Sequence, residues 1–155
     1  MNGPYYIVSD NHFSMTIDES ERIRRKKLFN VFDKIKKYKK GTLIIGGDFF
    51  DYWFEYKHEI PQGYNDILLA LQDLNNHNID IHYLLGNHDY WDFGYLNKIA
   101  NIITYETDLE FTCNNKKILI THGDGILKSD SGYRFMKSII RSKVFIKIYR
   151  LFPVK

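Results

Sequence analysis

The sequence predicts an α/β domain in which strands alternate with helices. Three short apolar runs, Tyr5–Ser9, Thr42–Ile45 and Ile79–Leu85, are separated by segments whose apolar residues recur at helical spacing. Each run stops at a polar cluster: Asp10-Asn11-His12, Gly46-Gly47-Asp48 and Gly86-Asn87-His88-Asp89. Because polar residues at the carboxyl ends of parallel strands usually mark the site of an α/β fold, these clusters are the candidate site.

The segments between the strands have the features of amphipathic helices. From Asp18 to Lys40 the apolar residues are spaced one or two helical turns apart among many charges, and Gly41 follows a lysine-rich last turn. A second helix is predicted over Tyr64–His77, where Ile67, Leu68, Leu71 and Leu74 form one apolar stripe. The first of these helices is expected to be amphipathic and to face solvent.

The second half of the chain predicts a short helix, a hairpin and a helical C-terminal segment. Tyr95–Ala100 is the short helix, and Phe111–Cys113 and Lys117–Thr121 are strands joined by a tight turn at Asn114-Asn115. The second hairpin strand ends in another polar cluster, His122-Gly123-Asp124. Four strand ends therefore carry Asp, His or Asn.

A helix is predicted from Ser131 to Phe152, stopped by Pro153. Its basic residues do not share one face, which predicts a break near Ser142-Lys143 and two short helices.

Composition indicates one globular domain. The 155 residues are 44% hydrophobic and 26% charged, with three prolines and one cysteine. A single Cys113 cannot form an internal disulfide, which favours a reducing compartment. The sequence has neither a run of about 20 apolar residues nor the pattern of a signal peptide, so a cytoplasmic location is expected.

The charge is unevenly distributed. Residues 128–155 carry eight Lys or Arg and one Asp, a net charge of +7, whereas residues 1–127 carry −4. The basic, apolar segment 128–155 predicts contact with an anionic partner, either a membrane surface or a phosphate-bearing ligand. Two interpretations stay open for it: a lid or membrane-facing element, or a domain helix whose apolar positions face the core (Phe135, Ile139, Ile140, Phe145, Ile148 and Leu151).

The other basic runs are interpreted as solvated helix faces. Arg22–Lys27 and Lys34–Lys40 both lie in the first predicted helix, and no nucleic-acid-binding motif accompanies them. No nucleic-acid partner is therefore expected. The six aromatic residues between 49 and 56 are too many to bury together, which predicts that some of them line a groove for a lipid or a base.

The four strand ends together offer carboxylate, amide and imidazole groups without a thiolate. Such a set suits Mn²⁺, Fe²⁺ or Zn²⁺, and a carboxylate such as Asp48 can bridge two ions about 3.5 to 4 Å apart, as in phosphoester cleavage. Glycines beside these residues, such as Gly46, Gly47, Gly86 and Gly123, leave space for sharp turns and for the ions.

The motifs S-D-N-H, G-G-D-x-x-D, G-N-H-D and T-H-G-D, in this order over residues 9–124, resemble those of the calcineurin-like metallophosphoesterases. The resemblance implies the N-terminal portion of an αββα sandwich and two divalent ions, Mn²⁺ first, with Fe²⁺ or Zn²⁺ as alternatives. It implies that one ion is held by Asp10, His12 and Asp48, and the other by Asp48, Asn87 and His122. His88 would contact the phosphate or protonate the leaving oxygen, and Asp89 would orient its ring.

A narrower resemblance rests on GGDFFDYWFEYKHEIP, LLGNHDYWDF and HGDGILKSDSGYRFMK. These stretches are similar to the UDP-2,3-diacylglucosamine diphosphatases of lipid A biosynthesis, in the form found in Bacteroidetes-type bacteria. The resemblance implies metal-dependent hydrolysis of a UDP-linked diacylated glucosamine lipid to UMP and 2,3-diacylglucosamine 1-phosphate, on the inner face of the cytoplasmic membrane. Asn87, His88, Asp130 and Tyr133 would then bind substrate.

One departure separates the sequence from the family pattern. The family has a further GHxH motif downstream, whereas all six histidines of this sequence lie at or before position 122. Residues 1–155 are therefore expected to form a single metallophosphoesterase domain that is incomplete at its C-terminal end. Two alternatives stay open: a phosphodiesterase or phosphatase acting on a soluble substrate, and a catalytically silent fragment of such an enzyme. The sequence leaves the oligomeric state open.

Overall fold

A computed structural model describes residues 1 and 3–152. Four parallel strands form the main sheet in the order β1 (Tyr5–Val8), β2 (Gly41–Ile45), β3 (Ile79–Leu84) and β4 (Ile103–Tyr105). Three helices connect them, α1 (Glu19–Lys36), α2 (Asn65–Asn76) and α3 (Tyr95–Ala100). This parallel sheet flanked by helices confirms the predicted α/β class.

The start of α1 is fixed by a side-chain cap. Asp18 has an extended backbone, and its Oδ1 accepts a hydrogen bond from the amide of Glu21 at 2.7 Å. The helix ends at Lys36, four residues before the predicted end. The amides of Tyr38 and Lys39 bond back to the carbonyls of Ile35 and Lys36, and Lys39 has a φ of 53°. A left-handed residue ends a helix, so the lysine-rich stretch becomes a turn into β2.

The core lies between the sheet and the helices. Leu43 and Ile45 of β2 alternate with residues on the opposite face, and Leu71 and Leu74 of α2 are fully buried against the sheet. Each such side chain stabilises the fold by about 1.5 to 3 kcal/mol relative to exposure. This packing fixes the carboxyl ends of the strands, where the predicted site residues lie.

Five of the six aromatic residues after β2 are buried, contrary to the prediction that they are too many to bury together. Phe49, Phe50 and Trp53 are 0% exposed and belong to the main core, while Phe54 and Tyr56 pack with Trp91 in a second, smaller cluster, which leaves Tyr52 half-buried. The prediction failed because the chain divides these rings between two clusters rather than one. Tyr56 also lines a surface pocket, so the predicted groove for a lipid or a base stays a prediction.

Arg25 corrects the interpretation of Arg22–Lys27 as a solvated face. Its side chain is 2% exposed, and its guanidinium bonds Glu21, which is also buried, together with Asp66 and the carbonyls of Ser14 and Gly63. A buried charge is retained only where it is paired and hydrogen-bonded, and this network meets both conditions.

The predicted hairpin is confirmed. Strands β5 (Leu109–Cys113) and β6 (Lys116–Ile120) pair antiparallel, and the turn residues Asn114 and Asn115 have φ values of 49° and 61°. Two positive φ values at Asn are typical of the tight hairpin turn that fits the twist of its strands. Strand β4 was not predicted, since three residues carry too little pattern.

The C-terminal segment is two helices, as the charge pattern predicted. A 3₁₀ turn over Lys128–Asp130 leads into α4 (Ser131–Ile140) and α5 (Lys143–Tyr149), and Ser142 caps α5 by accepting a bond from the amide of Phe145 at 3.2 Å. The described helix ends at Tyr149, and Pro153, the predicted stop, lies outside the described residues.

Most of the apolar positions of this segment do not face the core. Four of the six named above are exposed (Phe135 70%, Ile139 46%, Ile148 56%, Leu151 68%). The segment is nevertheless attached to the body, since the Tyr149 ring lies 4.8 Å from that of Phe54 and Trp91 Nε1 donates to the carbonyl of Ile140. Within residues 3–152, no helix combines the length and the apolarity that crossing a membrane requires.

Candidate metal centre

Asp48 is the central residue of the site. It follows β2, it is 4% exposed, and its Oδ2 lies 3.3 Å from His122 Nε2 and 3.7 Å from His12 Nε2. Its other oxygen, Oδ1, accepts a hydrogen bond from the amide of His88 at 2.9 Å. A nearly buried carboxylate between two imidazoles from different loops has the arrangement that a bridging ligand requires.

The structure brings together the three residues predicted for the second ion, Asp48, Asn87 and His122, and places beside them Asp10, which was predicted for the first ion. His122 Nε2 lies 3.0 Å from Asn87 Oδ1, and one ligand atom each of Asp10, Asp48 and His122 lies within 4.8 Å of the others. All four residues come from loops at the carboxyl edge of strands, which is why residues so distant in sequence meet.

A second group comprises His12, Asp51 and His88, whose ligand atoms also lie within 4.8 Å of one another. Asp51 Oδ1 lies 3.7 Å from His12 Nδ1 and 3.6 Å from His88 Nδ1. Asp51 was not among the predicted site residues, although it is the second acid of the G-G-D-x-x-D motif. Its position three residues after Asp48 was the signal that could have identified it.

Asp89 does not orient the His88 ring. Its carboxylate is 1% exposed and accepts hydrogen bonds from the amides of Phe49 (2.7 Å) and Gly86 (2.8 Å) and from the Tyr83 hydroxyl. The His88 ring is held instead by the backbone, with its Nδ1 2.6 Å from the carbonyl oxygen of Asp51. Asp89 thus joins the loops that follow β2 and β3, and burial raises the pKa of its carboxyl.

The backbone at the predicted ligands is strained. Asp10, His12 and Asp48 have φ values of 50°, 45° and 47°, a region that costs side-chain-bearing residues about 1 to 3 kcal/mol. The space around Asp48 is equally restricted, because a Cβ on Gly86 would lie 2.1 Å from Asp48 Oδ1. Strain and close approach of this kind are typical of functional sites.

Asp48 and His122 shift each other's pKa. Burial acts to raise the pKa of Asp48, but hydrogen bonds from His122 and from the His88 amide outweigh it and lower that pKa. The hydrogen bond to Asp48 raises the pKa of His122, against the effect of burial. An anionic Asp48 is the form that a divalent cation binds.

The two remaining predicted substrate residues lie near the start of α4. The Tyr133 hydroxyl donates to Asp124 Oδ2 at 2.8 Å, and Lys137 Nζ lies 2.6 Å from the same oxygen, whereas Asp130 is half-buried. Burial acts to raise the pKa of Asp124, but the bonds from Lys137 and Tyr133 lower it. Asp124, two residues after His122, therefore attaches α4 to the site.

The donor set fits divalent cations. Carboxylate, imidazole and amide groups suit Mn²⁺, Fe²⁺ or Zn²⁺, and the residues that would hold them are Asp10, His12, Asp48, Asn87 and His122. Bound ions would supply positive charge for a phosphate group and would lower the pKa of water. His88 remains available at the edge of this set.

The chain is similar in sequence to a family of known proteins. A family model described as calcineurin-like phosphoesterase matches residues 3–149. Three of the curated relatives are named UDP-2,3-diacylglucosamine hydrolase. The protein from Porphyromonas gingivalis is 25% identical over 96% of this chain and 58% of its own length, and that from Ralstonia nicotianae is 22% identical over 100% and 56%. The protein from Photorhabdus laumondii is 26% identical over 73% of this chain and 47% of its own.

A solved structure of a protein of unknown function from Aquifex aeolicus covers 88% of this chain and 71% of its own, with a TM-score of 0.49 and 21% identity. The chain spans a little over half the length of the first curated relative. The family model nevertheless covers nearly the whole chain, including every motif of the metal centre. The chain therefore belongs to the calcineurin-like phosphoesterase family.

Proposed function

We propose that the protein takes part in the metal-dependent hydrolysis of the diphosphate of UDP-2,3-diacylglucosamine, giving UMP and 2,3-diacylglucosamine 1-phosphate. The observation that carries the hydrolytic part is the convergence of Asp10, His12, Asn87 and His122 around the buried Asp48. The names of the relatives support the substrate. In this proposal residues 1–155 act as one domain.

The chain's own groups have distinct roles in the proposed reaction. His88 is 40% exposed, and the Asp51 carbonyl fixes its Nδ1, so that Nε2 is free to contact a phosphate oxygen or to give a proton to the leaving oxygen. Asp89 sets the position of the loop that carries Asn87 and His88 rather than touching substrate. Asn87, His88, Asp130 and Tyr133 are proposed to bind substrate, Tyr133 from its position on Asp124.

Segment 128–155 is proposed to rest on an anionic membrane surface as a lid or membrane-facing element, at the inner face of the cytoplasmic membrane. Phe135, Val144 and Leu151 are each about 70% exposed, and Lys143 and Lys147 lie close to them in sequence. Apolar side chains beside basic ones are the combination by which a helix lies on anionic lipid.

The substrate is tested by measuring UMP release from UDP-2,3-diacylglucosamine with added Mn²⁺ and with a chelator control. Chelator-sensitive release is expected, and His88→Ala is expected to lower turnover about 10²- to 10⁴-fold while leaving Mn²⁺ binding intact. Equal loss of Mn²⁺ binding would make His88 a ligand instead. His77→Ala, which removes a 45% exposed histidine at the end of α2, is the matched control for loss of an imidazole.

Two other outcomes would replace the proposal. Hydrolysis of bis(p-nitrophenyl) phosphate without UMP release would favour a phosphodiesterase or phosphatase for a soluble substrate. Mn²⁺ binding without hydrolysis of either compound, from folded protein, would identify a catalytically silent chain.

Membrane contact is tested separately by sedimentation with vesicles containing phosphatidylglycerol. Phe135→Ser combined with Leu151→Ser is expected to reduce co-sedimentation, since both side chains are exposed on the C-terminal helices. Leu69→Ser is the control, because Leu69 is 62% exposed but lies on α2. Equal sedimentation of all three proteins would contradict the proposal.

A further inference from the structure

The loop of residues 10–14, called here the ligand loop, is bonded along its amide side to the loop that follows β2. The amides of Asp10, His12 and Phe13 donate to the carbonyls of residues 47, 48 and 49 at 2.9 to 3.1 Å. The carbonyls of Asn11 and His12 take no part in these bonds and accept hydrogen bonds from another element. Two ligand-loop residues, Asp10 and His12, have strained positive φ values, so that their conformation depends on the groups that hold the loop.

Those carbonyls are held by Arg24 of α1. Its Nη2 donates to the carbonyl of Asn11, and both terminal nitrogens lie 3.3 Å from the carbonyl oxygen of His12. The guanidinium carbon lies 5.2 Å from the centre of the Phe13 ring. A planar guanidinium can span two adjacent carbonyls in this way, whereas an ammonium acts as a point charge.

Arg24 is itself fixed by Glu21. Glu21 is 3% exposed, its Oε2 lies 2.7 Å from Arg24 Nη1, and its Oε1 accepts a bond from the amide of Ser14 at 3.1 Å. Arg25 donates to the carbonyl of Ser14 from the same helix turn. The first turns of α1 therefore hold the backbone of the ligand loop at Asn11, His12 and Ser14.

We propose that Arg24 is a positioning residue for the metal centre. It holds the backbone of Asn11 and His12 in the strained conformation that directs Asp10 and His12 to the ions. The inference rests on the proposed metal-dependent function but is independent of its substrate. Arg24 is the appropriate residue to test, since its side chain is 41% exposed, whereas the buried Arg25 also holds Gly63 and Asp66 and contributes to the fold.

The test measures Mn²⁺ binding by the full chain, from the amplitude of the free Mn²⁺ signal in electron paramagnetic resonance. Arg24→Gln is expected to weaken binding about 10-fold or more, the typical effect of removing a group that orients a ligand. Arg22→Gln is the matched control, because Arg22 is 67% exposed and pairs with Glu19 one turn away on the same helix. Its binding is expected to stay within about 2-fold of the original protein.

Arg24→Lys separates geometry from charge and covers the case in which Arg24→Gln does not fold. Lysine keeps the positive charge but lacks the planar guanidinium that spans two carbonyls. Arg24→Lys is therefore expected to bind Mn²⁺ more weakly than the original protein. Mn²⁺ affinity equal to that of the Arg22→Gln control in both Arg24 variants would overturn the proposal, as would unaltered affinity in Arg24→Lys alone. Failure of the original protein to bind Mn²⁺ would overturn the metal centre itself, whereas Mn²⁺ binding without UMP release would overturn only the proposed substrate.

Discussion

Gly86→Ala is the smallest change that should disrupt the metal centre. A Cβ at Gly86 would lie 2.1 Å from Asp48 Oδ1 and 2.5 Å from the Asp48 amide nitrogen, about 1.3 Å short of the 3.4 Å at which ordinary contact begins. Asp48 and its backbone must then move by about 1 Å. Overpacking of this kind costs about 1 to 3 kcal/mol, and a 1 Å displacement of a catalytic group costs about 10²-fold in rate.

The assay combines thermal unfolding with Mn²⁺ binding. Gly86→Ala is expected to lower Tm by several degrees, because about 1 kcal/mol corresponds to about 2 to 4 °C in a chain of this size, and to weaken Mn²⁺ binding. Gly132→Ala is the matched control: it lies in α4 with open space around its Cβ, so that it should raise Tm slightly and leave Mn²⁺ binding unchanged. Original Tm and Mn²⁺ affinity in Gly86→Ala would refute the reasoning.

Three further changes test other parts of the structure. Asp48→Asn should abolish tight Mn²⁺ binding, since the Asp48 carboxylate lies within 3.7 Å of both His12 and His122; retained binding would exclude it as the bridging ligand. Leu71→Ala should lower the free energy of unfolding in urea by about 2 to 5 kcal/mol, because Leu71 is fully buried, and a loss below about 1 kcal/mol would contradict its place in the core. Lys36→Met should cost about 0.2 to 1 kcal/mol, since Lys36 pairs with Asp73 across α1 and α2. The hydrogen bond from Lys36 lowers the pKa of Asp73, so this stabilisation is present above the ordinary carboxyl pKa and is lost as pH falls through the lowered value; a loss that stayed constant down to pH 2 would contradict the pairing.

The sheet and helices were predictable because their signals are local. The buried strand β2 and the apolar stripe of α2 follow directly from residue spacing. The burial of Arg25 and of the aromatic run was not predictable, because each depends on partners 33 to 41 residues away in sequence. Arg25 is buried by Asp66, and Phe50 packs on Tyr83, neither of which any local pattern connects to it.

The site was predictable in its residue types and less so in its contacts. The position of Asp48, Asn87 and His122 directly after strands predicts that they lie close together. In the structure they are within contact distance. Side-chain direction within a loop, however, is set by φ and ψ rather than by order in the sequence. His88 and Asp89 are neighbours in the chain, yet one is exposed toward the ligands and the other is buried beneath them.

The burial of Asp89 changes how a His-Asp pair in this loop should be interpreted when sequences are searched for activity. Its carboxylate holds two loops in place through backbone amides, a task that any chain with this fold must accomplish whether or not it turns over a substrate. A family member that no longer binds metal ions or catalyses a reaction would still need the Asp89 carboxylate to stay folded. Asp at position 89 therefore indicates the fold. Replacement of His88 or Asp48 would instead indicate a family member without catalytic activity.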